Sequence, residues 1–197
     1  MSSVKLQLVA GLGNPGAQYK KTRHNIGSAF LDKLVAGAGL SFENKPRFYG
    51  EVARTKGMAG DLWLLHPMSF MNRSGLAVAA MANFYKFEPE SILVVHDELD
   101  LEPGQIRLKL GGGYAGHNGL KDIAARLGSA NFWRLRLGIG HPHRLNLRQA
   151  VADFVLQRPS ESQAQLLDTA LQRTLEAWPQ LAHGDVAAAQ RLLHSPR

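Results

Sequence analysis

Three short polar segments hold the side chains able to move a proton or polarise a bond: Asn14 to His24, His96 to Asp100, and Gly116 to Gly119. His24 is the natural general base, because imidazole titrates near neutrality and a carboxylate can fix its tautomer and stabilise the imidazolium that forms. Asp97 follows the strongly apolar run Ser91 to Val95 and is the best orienting partner. Asn14, Asn72 and Asn118 carry amides that both donate and accept, suited to holding a carbonyl, feeding an oxyanion or aiming a water. Each also has a plainer reading. His24 can be a hydrogen-bonded structural residue, Asp97 a turn or cap, Asn72 a helix cap, and Asn118 a left-handed turn residue before Gly119. With no cysteine and no G-x-S-x-G elbow, a hydrolase of this sequence would use water directly. The run His96-Asp97-Glu98 with Asp100 invites a metal, but no H-x-x-x-H or H-E-x-x-H accompanies it, so no metal is expected.

The loop Gly11-Leu12-Gly13-Asn14-Pro15-Gly16 spells G-x-G-x-x-G, the dinucleotide fingerprint. That chemistry requires a helix to open on the last glycine and an acidic residue about 20 positions on, at a second strand. Here the polar stretch Gln18 to Asn25 intervenes, and Asp32 falls within a helical period. What remains is a strand-end loop presenting Asn14, Tyr19 and His24.

Positioning these groups requires a regular frame, and the apolar pattern supplies one. Val4–Ala10, Phe48–Thr55, Leu62–Leu65, Ser91–Val95, Gln105–Leu110 and Trp133–Ile139 read as strands. Ile26–Leu34, Met71–Phe84 and Leu120–Leu127 have helical spacing. From Ser160 the chain turns helical, with Ser160 and Gln163 matching a capping box. Alternating strands and helices imply an α/β fold: one domain over residues 1–197, a twisted mixed sheet, largely parallel, with helices on both faces and C-terminal helices. In such sheets ligands gather outside the carboxyl ends of the strands, where all three polar segments are expected. The 45% apolar and 20% charged composition is that of a globular chain. Twenty-three Lys and Arg against 16 Asp and Glu give a net charge of +7, which suits a polyanionic partner. The N-terminal apolar run is too short for a signal peptide, and no stretch approaches a membrane span, so a cytoplasmic protein is expected.

Taken together the segments closely resemble the bacterial-type peptidyl-tRNA hydrolase family. The matching motifs are Gly11–Gly16 with Tyr19 and Thr22-Arg23-His24-Asn25, then Phe70-Met71-Asn72-x-Ser74-Gly75. They continue with His96-Asp97-Glu98-Leu99-Asp100, Ala115-Gly116-His117-Asn118-Gly119-Leu120 and Arg136 to Pro142, spanning residues 8 to 142 in compatible order. The resemblance implies hydrolysis of the ester between a peptide and the 3′-terminal ribose of tRNA, with His24 as general base and Asp97 holding it. It implies that Asn14 contacts the peptide and helps tell a blocked α-amine from a free one. Tyr19, Phe70, Met71, Asn72 and Asn118 would line the site for peptide and terminal adenosine, Asn118 also placing the water. Lys109 and Arg136 would meet tRNA phosphate. No cofactor or metal is implied; the partner is tRNA carrying a peptide, and a monomer is expected. Two rival readings are a nucleotide-binding oxidoreductase, from the glycine loop, and a non-catalytic RNA-binding module, from charge alone. Two positions depart from the family pattern: Tyr114, where a small or polar residue is usual, and His143, where glycine is usual.

Overall fold

The computed structural model describes residues 3–196; residues 1–2 and 197, the ends of the expected 1–197 domain, lie outside the described residues. Seven strands, β1 (Leu8–Gly11), β2 (Glu43–Lys45), β3 (Gly50–Gly57), β4 (Gly60–Pro67), β5 (Ile92–Glu98), β6 (Ile106–Leu110) and β7 (Trp133–Gly138), form one sheet. Their order is β2-β3-β4-β1-β5-β7-β6. The central pairings β4–β1, β1–β5 and β5–β7 are parallel, whereas β2–β3, β3–β4 and β6–β7 are antiparallel. Parallel strands need burial on both sides, and alternation along the central strands provides it. Val9, Leu93 and Val95 enter one apolar cluster, while Leu8, Ala10, Ile92 and Val94 enter the other.

Helices α1 (Ile26–Gly37), α5 (Glu161–Ala182) and α6 (Val186–His194) cover the first face; α2 (Gly75–Tyr85) and α3 (Asn118–Leu127) cover the second. A five-residue helix, α4 (Val151–Val155), leads into α5. The capping box at Ser160 and Gln163 is present and opens α5. The long helical stretch from Ser160 breaks at Gly184, whose φ of 76° ends one helix before Asp185 caps α6. Met71 to Arg73 forms a 3₁₀ turn rather than the start of α2. The first N–H of α2, at Gly75, is satisfied by Asp122 Oδ2 of α3 at 2.8 Å, so Asn72 is not its cap.

The segment Gly116–Gly119 reaches its expected place by an indirect route. Because β6 runs antiparallel to β7, Leu110 lies opposite Trp133, and Trp133 opposite Leu93 near the start of β5. The loop after β6 therefore begins at the far end of the sheet from Asp97. It returns along the sheet, where the buried Arg134 donates to Gly113 O, and delivers His117 to the active end. The same guanidinium lies 5.5 Å from the Tyr114 ring centroid, so the unusual tyrosine packs on the group that holds the loop.

Candidate active site

The carboxyl ends of β1 and β5 are adjacent in the sheet, and this adjacency brings His24 to Asp97 across 73 residues of sequence. After β1 the chain turns through Leu12 to Asn25 and enters α1 at once. Gly27 permits that close entry: a side chain there would collide with the Val95 carbonyl of β5. The 3₁₀ turn Arg23–Asn25 that carries His24 is pinned from both sides. Arg23 is buried, donates to Phe154 O at 3.0 Å and Gln163 Oε1 at 2.9 Å, and stacks 3.9 Å over the Phe154 ring. On the other side, Asn25 exchanges two 2.9 Å hydrogen bonds with the backbone of Asn14.

His24 Nδ1 lies 2.8 Å from Asp97 Oδ2, and His117 Nε2 lies 2.9 Å from Asp97 Oδ1. The protons on this chain follow from the helix beside it. His117 caps α3, its Nδ1 accepting from the N–H of Gly119 at 3.1 Å and Leu120 at 3.3 Å. Its proton must therefore sit on Nε2 and point at Asp97. A fully buried carboxylate receiving one N–H from each imidazole is balanced on both oxygens. His24 then donates from Nδ1, leaving a lone pair on Nε2, which has no partner among the described residues. His24, Asp97, His117 and Asn118 line a cavity of about 130 Å³ closed on one side by Val151, Ala152 and Val155 around α4.

Electrostatics follow the same geometry. Burial would raise the Asp97 carboxyl, but the charges and hydrogen bonds of His24 and His117 outweigh it and hold it far below the usual carboxylate range. Burial alone would lower the His24 imidazole; the Asp97 charge and hydrogen bond more than offset this and raise it above 6.5. His24, Asp97 and His117 also place donor atoms within 4.8 Å of one another, close enough to hold a metal ion. A metal on His117 Nε2 would force its proton onto Nδ1, against two backbone N–H groups. The chemistry of this donor set suits a proton relay better than a metal centre.

The His96 to Asp100 run divides between the two faces of β5. Asp97 turns to His24; His96, Glu98 and Asp100 line a separate cavity of about 150 Å³ with Lys109, Arg134 and Arg136. His96 donates from Nδ1 to Asp97 O, and burial, reinforced by His117, pushes it down to about 3, so it stays uncharged. Arg136 is not a free cation: its Nε binds Glu98 Oε1 at 2.7 Å.

Asn14 is buried with its side-chain Oδ1 accepting from Met71 N at 2.7 Å, which turns its NH₂ to the other side as a donor. Tyr19 and Phe70 meet edge to face at 6.2 Å, with Phe70 57% exposed. The 3₁₀ turn Met71–Arg73 buries Met71 and leaves Asn72 exposed. Asn118 is the first residue of α3 and is not left-handed, so its turn reading fails; the positive-φ positions are Ala115 and Gly116, ahead of His117. His117 and α4 are the features that sequence reasoning missed. His117 stood inside a quoted motif, and a histidine one residue before a helical period was the available signal for a cap.

A family model described as peptidyl-tRNA hydrolase matches residues 8–197. The chain belongs to the peptidyl-tRNA hydrolase family. A peptidyl-tRNA hydrolase of Neisseria meningitidis serogroup A is 54% identical over 190 residues, covering 96% of this chain and 97% of its own. One from Bordetella avium is 52% identical over 193 residues, 98% and 93% of the two chains. The crystal structure of peptidyl-tRNA hydrolase from Acinetobacter baumannii superposes with a TM-score of 0.92 at 41% identity, covering all of this chain and 98% of that one. Family membership leaves no ground for a nucleotide-binding oxidoreductase, and the structural reason is that Gly16 opens only the three-residue 3₁₀ turn Ala17–Tyr19, not the α-helix a pyrophosphate would need.

Proposed function

We propose that this protein performs its family's reaction, hydrolysis of the ester joining a peptide to the 3′-terminal ribose of tRNA, with water activated by His24. The observation that carries the mechanism is the 2.8 Å contact of His24 Nδ1 with Asp97, which leaves Nε2 as a free base facing the cavity. Nε2 takes a proton from water as its oxygen attacks the ester carbonyl. The imidazolium so formed sits against the Asp97 carboxylate, and His117 fixes that carboxylate from its other oxygen. Collapse of the tetrahedral intermediate expels the ribose hydroxyl, with the proton returned from Nε2 to the leaving oxygen.

Asn118, lining the same cavity, aims the water or donates to the developing oxyanion, a contribution of about 2.7–4 kcal/mol for one good donor. Asn14 points its NH₂ toward the peptide, where it would donate to the carbonyl of an N-acyl group; a free α-ammonium would bring donor against donor. Tyr19, Phe70, Met71 and Asn72 form the wall on the peptide and adenosine side, and Lys109 with Arg136 meet acceptor-stem phosphate. No step in this reading uses a metal or cofactor.

The test compares N-acetyl-aminoacyl-tRNA with the same tRNA bearing a free α-amine, for the native protein and His24→Ala. The expected result is rapid release from the blocked substrate only, and a fall of about 10²–10⁴-fold in single-turnover rate for His24→Ala with tRNA binding retained. A near-native rate in His24→Ala would overturn the base; RNA binding without hydrolysis would instead favour the non-catalytic module.

A further inference from the structure

Beyond the pair Tyr19 and Phe70, two further large apolar side chains are exposed. Met68 and Tyr49 are 44% and 52% exposed, high values for large apolar side chains. They belong together by register. Gly50 lies opposite Pro67 at the end of the β3–β4 ladder, and one further rung, Met68 N to Tyr49 O at 2.9 Å, sets Tyr49 beside Met68. Tyr49 holds a left-handed backbone with φ 52°, a conformation costly for a bulky aromatic residue. Met68 joins this rung to Phe70 through a single residue, and Phe70 is followed by Met71, whose N–H orients Asn14. The segment Met68–Met71 therefore links the Asn14 side of the site to the end of the antiparallel hairpin.

We infer that Tyr49 and Met68 form a subsite for the substrate's peptide, taking apolar side chains upstream of the ester-linked residue. The inference rests on the proposed placement of the peptide against Asn14 and Phe70. It goes further, by assigning a sequence preference to a part of the substrate that takes no part in the chemistry. The occupant is argued from continuity: a peptide whose last residue sits at Asn14 must leave the cavity, and Phe70 and Met68 are the next exposed apolar residues along that wall. Exposed apolar side chains at these positions favour peptides that bury apolar area.

The experiment measures kcat/KM for three N-acetylated substrates on one tRNA. They share one ester-linked residue, alone, preceded by two glycines, or preceded by two leucines. The native protein is expected to favour the Leu form over the Gly form by about five- to tenfold. Tenfold is ~1.4 kcal/mol, the transfer free energy of roughly 55 Å² of apolar surface. In the double variant Tyr49→Asn, Met68→Ser, the preference should shrink to about twofold, with the single-residue substrate still cleaved at a near-native rate. Asparagine is chosen because it tolerates the left-handed backbone. Met68→Leu should keep the preference. Equal rates for Leu and Gly forms in the native protein would overturn the subsite without touching the reaction, and so would a Leu preference surviving in the double variant. A double variant equally impaired on all three substrates would assign the two residues to structure alone. Failure of the native protein to cleave any of the three would overturn the reaction itself and the subsite with it.

Discussion

In the proposed mechanism His24 acts as a base only while Nε2 is unprotonated, and its environment sets the pH at which that holds. Asp97 raises the imidazole above 6.5 against the opposing effect of burial. Activity should therefore rise with pH along an acidic limb whose midpoint in kcat/KM lies above 6.5. Asp97→Asn removes the raising charge and leaves the burial, so the limb should move to lower pH while the plateau rate drops. A pH–rate profile that keeps its midpoint in this variant would detach Asp97 from the base. Asn14 makes a second residue-level prediction. Its Oδ1 is committed to Met71 N at 2.7 Å, so under the proposed placement the substrate would meet only its NH₂. In Asn14→Asp one oxygen can keep the Met71 bond while the other presents a charge complementary to a free α-ammonium, which is otherwise costly to bury. The ratio of rates on blocked and free aminoacyl-tRNA should fall; an unchanged ratio would remove Asn14 from selectivity.

Elements hold these residues through contacts that cross the chain, and these were the least legible in sequence. The β1 and β5 strand ends were readable because glycine and polar residues punctuate short apolar runs at Gly11 and His96. The return of the loop after β6 was not, because only the antiparallel β6–β7 register puts Leu110 at the far end. Three-residue β2 and five-residue α4 are too short to show a period. At the sheet's other edge, α6 does what a neighbouring strand would do. Gln190 Nε2 donates to Leu108 O at 2.9 Å, and His194 Nε2 accepts from Leu108 N at 2.9 Å. These two side chains, one helical turn apart, saturate the exposed rung of β6 and blunt an edge open to pairing. Burial, and then Arg107, lower the His194 imidazole below 6.5. A depressed histidine contributes stability above its unfolded pKa that is lost as pH falls, since the protonated ring would set N–H against N–H. His194→Ala should cost about 1–3 kcal/mol through the orphaned Leu108 N–H. It should also flatten the dependence of the thermal midpoint on pH below about 6.5, the ordinary histidine pKa. Calorimetry at two pH values reads both effects, and parallel losses in native and variant protein would contradict the clamp.

At the scale of the whole molecule, the +7 charge is an attraction for a polyanion that no single residue accounts for. What the structure adds is that its cations are unequal. Lys109 lines the 150 Å³ cavity without a carboxylate of its own among the described residues, whereas Arg136 in the same cavity is bound at 2.7 Å to Glu98. The family resemblance implied the two as equivalent phosphate contacts; it could not show that Glu98 is committed to one of them. Each phosphate neutralised by a free cation should contribute about 0.9 to the slope of log K against log salt on a duplex. Lys109→Gln should therefore shallow the slope by nearly that amount and raise KM for full-length tRNA far more than it lowers kcat. Arg136→Gln should shallow it less, because part of the arginine's charge is already spent on Glu98, and should also strand a buried carboxylate. Glu98→Gln should act in the opposite direction, releasing Arg136 to phosphate and steepening the slope. None of the three should change the rate on a short substrate that ends at the acyl-adenosine, since it carries no acceptor-stem phosphate. Kinetics of both substrates at two salt concentrations decide the matter. Equal slopes for the Lys109 and Arg136 variants would show that Glu98 does not moderate the contact, and equal losses on both substrates would place these residues in the chemistry rather than in holding the stem.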